Sequence, residues 1–221
     1  MMYLNLQRSK IAYFNAKLLK WLPVDNKSIF LDLGCGQGDF LSYLRKLGYT
    51  DITGIDKSKE QVCFCKTKLK DINIYEAEMT EFLFGKNNQY DCISALDVIE
   101  HLKKEQIIYF LNLVAKALKP GGRLIIQTPN ALSPWSTGLI YGDFSHEFCF
   151  TPSSLRHILK LIGFTKIQFQ ATGPIVRGYK SSLRYILWNI VVVLFKLFNL
   201  VEMGTIGDGI YTRVFLCSAK K

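Results

Sequence analysis

Two short segments of this 221-residue chain hold the side chains best suited to moving a proton or binding a metal ion. Asp97, Glu100 and His101 share the segment DVIEHL, and His146 lies in GDFSHEFCFTP. An imidazole titrates near neutral pH, so either histidine could act as a general base beside Glu100. The same oxygen and nitrogen donors suit Mg²⁺ or Mn²⁺. The alternative for His146 is a hydrogen bond that fixes its loop, and His157, inside a helical pattern, is expected to be structural or superficial.

A second segment, LDLGCGQGDF, is typical of a loop that holds a ligand against its backbone. Gly34, Gly36 and Gly38 follow an apolar run, with Asp32 just before them. Glycines let backbone N–H groups approach a ligand closely at the start of a helix. The spacing lacks the third glycine of a dinucleotide-binding loop and the GK[ST] of a phosphate-binding loop. Asp56, at the end of the next predicted strand, is placed to accept hydrogen bonds from two ribose hydroxyls.

The elements that must position these residues alternate along the chain. Apolar runs predict strands over 29–34, 50–56, 72–78, 90–96, 123–130, 165–172 and 210–219. Helical spacing predicts helices over 9–22, 39–48, 57–70, 105–122 (closed by a Pro-Gly-Gly turn) and 152–164. We expect Ser9 to cap the first helix, Thr151 or Ser153 to cap the last, and Gly163 to end it. This alternation predicts an α/β, doubly wound parallel sheet whose last two strands pair antiparallel.

We expect one domain over 1–221, with an N-terminal helix within 1–27 and a helical insertion over 173–208. The six cysteines form no CxxC pair, so we expect reduced core thiols and a cytoplasmic protein. The formal net charge is +10, and residues 156–221 contribute +8 of it, from ten Lys or Arg and two Asp or Glu. Such a basic segment favours phosphate, a membrane surface or nucleic acid as a partner, the alternative being a well-solvated surface.

The combination LDLGCGQGDF, GID, YDCISALDVIEHL and LKPGGRLIIQTPN resembles the successive motifs of class I S-adenosylmethionine-dependent methyltransferases. The resemblance implies a Rossmann-like seven-stranded sheet of order 3-2-1-4-5-7-6, with strand 7 antiparallel. It implies S-adenosylmethionine as the methyl donor and S-adenosylhomocysteine as a product. The resemblance implies that Asp32 and the Leu96 carbonyl lie near the methionine ammonium. It also implies that Asp56 contacts the ribose, with Lys57 beside it, and that Glu78 and Met79 lie at the adenine. The remaining implied cofactor residues form the loop Gly34, Cys35, Gly36 and Gly38. A solvated strand-end carboxylate is the alternative for Glu78.

The resemblance also bears on a metal ion. An E-x-x-E-H arrangement binds a divalent ion in ubiquinone-biosynthesis O-methyltransferases and in small-RNA 2′-O-methyltransferases, the latter with a further histidine in a later loop. Here Asp97 replaces the first glutamate, which shortens that arm. In metal-free members of the family the Glu-His pair shapes the pocket. We therefore expect no metal, with Asp97, Glu100, His101 and His146 as the candidate ligands should one bind.

The segment 182–201 is the most apolar run of the chain and approaches the length of a membrane span. Arg184, Asn189, Lys196 and Asn199 interrupt it, and the following strand must return to the sheet. These features disfavour a span. We expect a cap over the acceptor pocket or a homodimer interface, with an interfacial helix on the inner face of a membrane as the alternative.

The loops of TPN…GDFSHEFCFTPSSLRHILKLIGF and the insertion are similar to methyltransferases of O-antigen and capsule synthesis. That similarity implies a sugar hydroxyl of a surface glycan, or of its nucleotide- or lipid-linked precursor, as acceptor, and polysaccharide biosynthesis as the process. The alternatives are an O-methyltransferase of a quinone-type or other small aromatic acceptor, an RNA 2′-O-methyltransferase, or a non-enzymatic binding protein. We expect no appended RNA module and no DNA partner.

Overall fold

The computed structural model describes residues 2–221, with side chains described from Ser9 onward. The strands are β1 (Phe30–Leu33), β2 (Ile52–Asp56), β3 (Asn73–Glu76), β4 (Tyr90–Leu96), β5 (Leu118–Pro129), β6 (Thr165–Ala171) and β7 (Val214–Lys220). The helices are α1 (Met2–Lys17), α2 (Asp39–Lys46), α3 (Lys59–Lys68), α4 (Met79–Leu83), α5 (Lys104–Ala117), α6 (Thr137–Ile140), α7 (Pro152–Ile162) and α8 (Tyr179–Met203). Short 3-10 turns add Leu19–Trp21 and Ile99–His101.

The seven strands form one sheet of order β3-β2-β1-β4-β5-β7-β6. The pairs from β3 through β5 are parallel, and β7 is antiparallel to both β5 and β6. The order and the antiparallel final strand are therefore confirmed. The carboxyl ends of β1, β2 and β4 lie side by side, which is where a doubly wound sheet binds its ligand.

Helices cover both faces of this sheet, which explains why its strands are apolar runs rather than alternating patterns. Phe30 of β1 faces a buried cluster shared with α1, α2 and α3. Leu31 and Leu33 face the opposite cluster, shared with α5 and α7. Asp32 shares its face with Phe30, because successive side chains alternate along a strand. A carboxylate is thus held in the sheet beside the glycine loop.

Several predicted boundaries are wrong. The first helix begins at Met2 rather than Ser9, so Ser9 lies inside it and does not cap it; Met1 lies outside the described residues. The helix predicted over 105–122 ends at Ala117, and the Pro-Gly-Gly segment belongs to β5. The reason is distant pairing: Gly121 and Gly122 exchange backbone hydrogen bonds with Lys221 at 3.3 and 3.0 Å. The predicted strand 210–219 begins only at Val214.

The caps of α7 match the prediction. The Thr151 hydroxyl accepts the Ser154 N–H at 3.0 Å, and Gly163 ends the helix in the left-handed region. His157 is exposed on this helix, as expected. All six cysteines are free, but Cys63 is exposed and Cys149 is half-buried, so the prediction of core thiols is wrong for these two.

Candidate active site

The glycine loop after β1 adopts a backbone that only glycine enters easily. Gly34, Gly36 and Gly38 have φ values of +68°, +49° and +72°. A Cβ at Gly34 would lie 2.5 Å from Val98 Cγ2, whereas a Cβ at Gly36 would meet nothing within 4 Å. Close packing against protein thus requires Gly34, while Gly36 faces open space that a ligand can fill. This open cradle fits the expected cofactor.

Asp56 is held rigidly beside that cradle. Its Oδ2 accepts the Gly36 N–H at 2.9 Å, and its Oδ1 accepts the Ser58 N–H at 2.8 Å. Each carboxylate oxygen has a further lone pair. Asp56 can therefore accept two ribose hydroxyls while it keeps the loop closed on β2.

Asp32 is a buried carboxyl group of the site, with 3% of its surface exposed. It pairs in register with Ser94 of β4, whose hydroxyl donates to its Oδ1 at 2.6 Å. Burial raises the pKa of Asp32 to about 7; the Ser94 hydrogen bond opposes this shift and the Asp56 charge adds to it. A carboxyl in this position gains most from a cation placed next to it, as the methionine ammonium of the donor would be.

The remaining predicted cofactor residues lie at the same edge of the sheet but differ in what they expose. The Cys35 thiol turns into the core, and its N–H donates to the Ile55 carbonyl at 2.9 Å, so Cys35 shapes the loop and its side chain does not face the ligand. Lys57 and Glu78 are exposed, and Met79 packs half-buried on the core at the start of α4. Leu96 ends β4. Contacts of these residues with a cofactor stay predictions.

The acid-base residues meet in a cleft of about 440 Å³. Asp97, Glu100, His101 and His146 all line it, with Leu139 and Val214 among the apolar residues of its wall. Two backbone hydrogen bonds, from the Glu147 and Phe148 N–H groups to the Glu100 carbonyl at 2.8 and 3.1 Å, fasten the His146 loop to the turn Ile99–His101. The structure therefore places the His146 loop beside the turn that holds Glu100 and His101, and the catalytic roles of these residues stay predictions.

Hydrogen bonds fix which nitrogen of each histidine carries the proton. His146 Nδ1 lies 3.1 Å from the Ile140 carbonyl, and His101 Nδ1 lies 3.2 Å from the Ser145 carbonyl. A carbonyl oxygen only accepts, so each Nδ1 is the donor in these bonds. The Ser145 hydroxyl also lies 3.0 Å from His101 Nδ1, and His146 Nε2 lies 3.9 Å from Asp143 Oδ2. The loop-fixing bond that was the alternative for His146 is therefore present, and it uses Nδ1 rather than Nε2. The two rings lie 4.8 Å apart, centroid to centroid.

The carboxyl groups of the cleft hold their protons more tightly than usual. Burial raises the pKa of Glu100 to about 8, and the Asp97 charge adds to this; Thr128 donates to Glu100 Oε2 at 3.0 Å and acts in the opposite direction. Asp97 is reached by solvent from one side of the cleft, yet the surrounding protein still raises its pKa, against the Gln127 hydrogen bond and the two histidines.

Ligand atoms of Glu100, His101 and His146 lie within 4.8 Å of one another, close enough to surround one metal ion. One carboxylate and two imidazoles form a donor set that suits a divalent ion. Asp97, the fourth candidate, is not in this group; its Oδ2 accepts the Gln127 amide at 2.7 Å. The geometry brings together three of the four candidate ligands.

Three residues that hold side chains of the cleft in place were not identified from the sequence. Tyr13 of α1 donates to Gln127 Oε1 at 2.6 Å, and Gln127 holds Asp97, so the N-terminal helix reaches the cleft through one amide. Thr128 holds Glu100. Gln127 and Thr128 are polar residues that end an apolar strand, a signal that could have found them. Tyr13 offers no local signal, because its partner is 114 positions away.

Comparison with known proteins identifies the family of this chain. Residues 6–168 match the family model described as "Methyltransferase domain". The chain belongs to this family. A crystal structure of an S-adenosylmethionine-dependent methyltransferase from Archaeoglobus fulgidus superposes with a TM-score of 0.71 at 21% identity, over 97% of this chain and 94% of that one. The resemblance to class I methyltransferases is confirmed, and family and fold support S-adenosylmethionine as the cofactor.

Two curated relatives carry the name ubiquinone biosynthesis O-methyltransferase. That of Bartonella tribocorum is 30% identical over 142 residues, which cover 62% of this chain and 56% of that protein. The mitochondrial protein of Dictyostelium discoideum is 27% identical over 55% of this chain and 42% of that protein. The chain thus spans about half the length of the curated relatives it matches.

Proposed function

We propose that this methyltransferase transfers a methyl group from S-adenosylmethionine to a hydroxyl of a small phenolic acceptor of the quinone-precursor type. The observation that carries the proposal is the cleft lined by Glu100, His101 and His146, in which a backbone carbonyl holds the Nδ1 atom of each histidine. The names of the curated relatives support the same acceptor class. These names do not support a sugar hydroxyl as the acceptor or polysaccharide biosynthesis as the process.

The chemistry of the cleft favours a phenol. A phenol of the tyrosine type loses its proton with a pKa of about 10, whereas an alcohol hydroxyl is a far weaker acid. A neutral imidazole can therefore take much of a phenol's proton as the oxygen becomes nucleophilic. The wall residues Leu139 and Val214 offer apolar surface to an aromatic ring.

In the proposed reaction, His146 Nε2 accepts the phenol proton while the oxygen attacks the methyl carbon of the sulfonium. The carbon–sulfur bond breaks and its electron pair stays on sulfur, which gives S-adenosylhomocysteine and the methyl ether. The Ile140 carbonyl, bonded to Nδ1, stabilises the imidazolium that forms. Asp32 and Asp56 hold the donor, so the chain supplies alignment as well as the base.

A divalent ion is the second use open to the same donors. Glu100, His101 and His146 would hold it, and its charge would lower the pKa of a coordinated acceptor hydroxyl. In that case both Nε2 atoms are ligands and neither is the base. A chelator separates the two uses.

The test is label transfer. Purified protein receives methyl-labelled S-adenosylmethionine with catechol, a methyl glycoside or a short RNA, each with and without EDTA. We expect label in catechol. His146→Gln should lower that rate by about 10² to 10⁴ while S-adenosylhomocysteine binding is kept. His157→Gln, an exposed histidine on α7, is the matched control and should leave the rate unchanged.

Label only in the glycoside or the RNA would overturn the phenolic acceptor and leave the methyltransferase assignment standing. Loss of all activity with EDTA, restored by Mg²⁺ or Mn²⁺, would replace the base mechanism by metal ligation at the same three residues.

A further inference from the structure

The helix α8 is the largest feature that the family match leaves out, since that match ends at residue 168. Among the described residues, it is the one helix long and apolar enough to cross a membrane by length and composition. None of its residues is fully buried. An apolar helix with so much exposed surface needs a contact that covers this surface.

One side of α8 packs on the domain between Trp188 and Asn199. Trp135 contacts Trp188 and Phe195, with ring centroids 5.9 and 5.2 Å apart, and Phe195 stacks 5.3 Å from Tyr211. One turn further on, the Asn199 amide donates to the Tyr211 hydroxyl at 2.5 Å. A helix held at these three levels lies along the surface of the domain. It cannot cross a bilayer while these contacts last, so the sequence argument against a span is supported.

The opposite side of α8 has no partner among the described residues. Its exposed apolar side chains recur at helical spacing. They are Leu183, Ile186, Leu187, Ile190, Val193, Leu194, Leu197, Phe198 and Val201. Ile190 and Val193, at the middle, are 53% and 62% exposed. A contiguous apolar surface of this kind marks a membrane or protein contact.

Positive charge flanks the start of that surface. Lys180 and Arg184 lie in the first two turns of α8, while its second half carries Lys196 and Glu202. Arg177, Arg184 and Arg213 line a cavity of about 690 Å³ at the start of the helix, and one of these arginines is anchored: Arg177 donates to the Ser9 carbonyl at 2.8 Å. The segment 156–221 carries a net charge of +8. This charge complements an anionic surface and opposes pairing with a second copy, which would bring the same cations together.

We propose that α8 is a membrane-surface helix that lies in the interface of an anionic bilayer, with its exposed apolar side among the acyl chains and its cations at the headgroups. The arginine-lined cavity then faces the phosphate layer. The proposal does not depend on the acceptor or on methyl transfer, because it rests on a surface outside the family match.

The test is co-flotation of the full chain with phosphatidylglycerol vesicles and with phosphatidylcholine vesicles, without cofactor or acceptor. We expect strong binding to the anionic vesicles, weaker binding to the zwitterionic ones, and weakening of the former by 0.5 M salt. The double variant Ile190→Glu/Val193→Glu should lower the vesicle partition coefficient at least about tenfold, because it removes apolar burial and adds anionic charge.

Ile108→Glu is the matched control. Ile108 is 53% exposed on α5, the same fraction as Ile190, and its substitution should leave vesicle binding unchanged. Equal losses for both variants would overturn the proposal, as would absence of vesicle binding by the unmodified chain. A dimer that the double variant dissociates, with no vesicle binding, would assign the surface to a second copy instead. S-adenosylhomocysteine affinity, measured on the same samples, reports on the proposed function separately.

Discussion

Replacing Gly36 by alanine separates cofactor binding from folding, because the two effects have different sources at this position. The left-handed backbone at Gly36 costs an L-residue roughly 1–2 kcal/mol. For a chain of this size that cost lowers Tm by roughly 2–8 °C. No protein atom lies within 4 Å of the added methyl group, so no clash adds to the cost. The methyl group would instead occupy the space proposed for the cofactor.

Gly85→Ala is the matched control. Gly85 has a φ of +75°, and a Cβ there also meets nothing within 4 Å, but the residue lies in the turn after α4. Both variants should therefore lose similar stability. By isothermal titration with S-adenosylhomocysteine, Gly36→Ala should bind at least about tenfold more weakly, a loss of about 1.4 kcal/mol, whereas Gly85→Ala should bind normally.

The reasoning would be refuted if Gly36→Ala kept its affinity within twofold of the unmodified chain, since the open space at Gly36 would then not be the cofactor's place. Gly34→Ala extends the series. Its methyl group would meet Val98 Cγ2 at 2.5 Å, so its stability loss should clearly exceed that of the other two variants.

Three further measurements check other parts of the structure. Asp32 binds a proton more tightly in the folded state than in the unfolded state, so the free energy of unfolding should fall as pH rises from about 4 to about 7. Asp32→Asn should flatten that fall in urea titrations without ligand. An unchanged dependence on pH would contradict the burial argument. A thiol reagent should modify Cys63 first in the folded chain, and Cys63→Ser should remove that fast phase; a fast phase that persists would place another thiol at the surface. Thr151→Ala should lower the free energy of unfolding by about 1 kcal/mol through loss of the α7 cap, and Ser153→Ala, exposed two residues on, should not; equal effects would remove the cap assignment.

Local patterns predicted the elements that are decided locally. The apolar run 90–96 coincides with β4, and the caps of α7 lie at Thr151 and Gly163, because a buried parallel strand and a capped helix each depend on neighbouring residues. The prediction of a turn at Pro-Gly-Gly was wrong for the opposite reason. The backbone of this segment pairs with Lys221, about 100 residues later in the chain, and no local turn signal contains that partner.

Some features of the candidate site also depend on neighbouring residues, and others depend on residues that are distant in the sequence. The glycine loop, Asp56 and the DVIEHL segment could be predicted because strand ends and glycine spacing show in the sequence. The hydrogen bonds of His101 and His146 could not, because their acceptors are carbonyls of Ser145 in an irregular loop and of Ile140 at the end of the short helix α6. The Tyr13–Gln127–Asp97 connection was equally inaccessible, since it joins three elements that meet only in the folded sheet.

The place of β7 has a consequence for synthesis of the chain. This strand is the last of the seven to leave the ribosome, yet it lies between β5 and β6 and pairs with both. Until it emerges, β5 keeps an unpaired edge and β6 has no neighbour, so the sheet cannot close during translation. The exposed apolar side of α8 has by then already been made. The nascent chain therefore exposes this apolar surface before its domain is finished, which makes it the part of the chain most open to chaperones during synthesis.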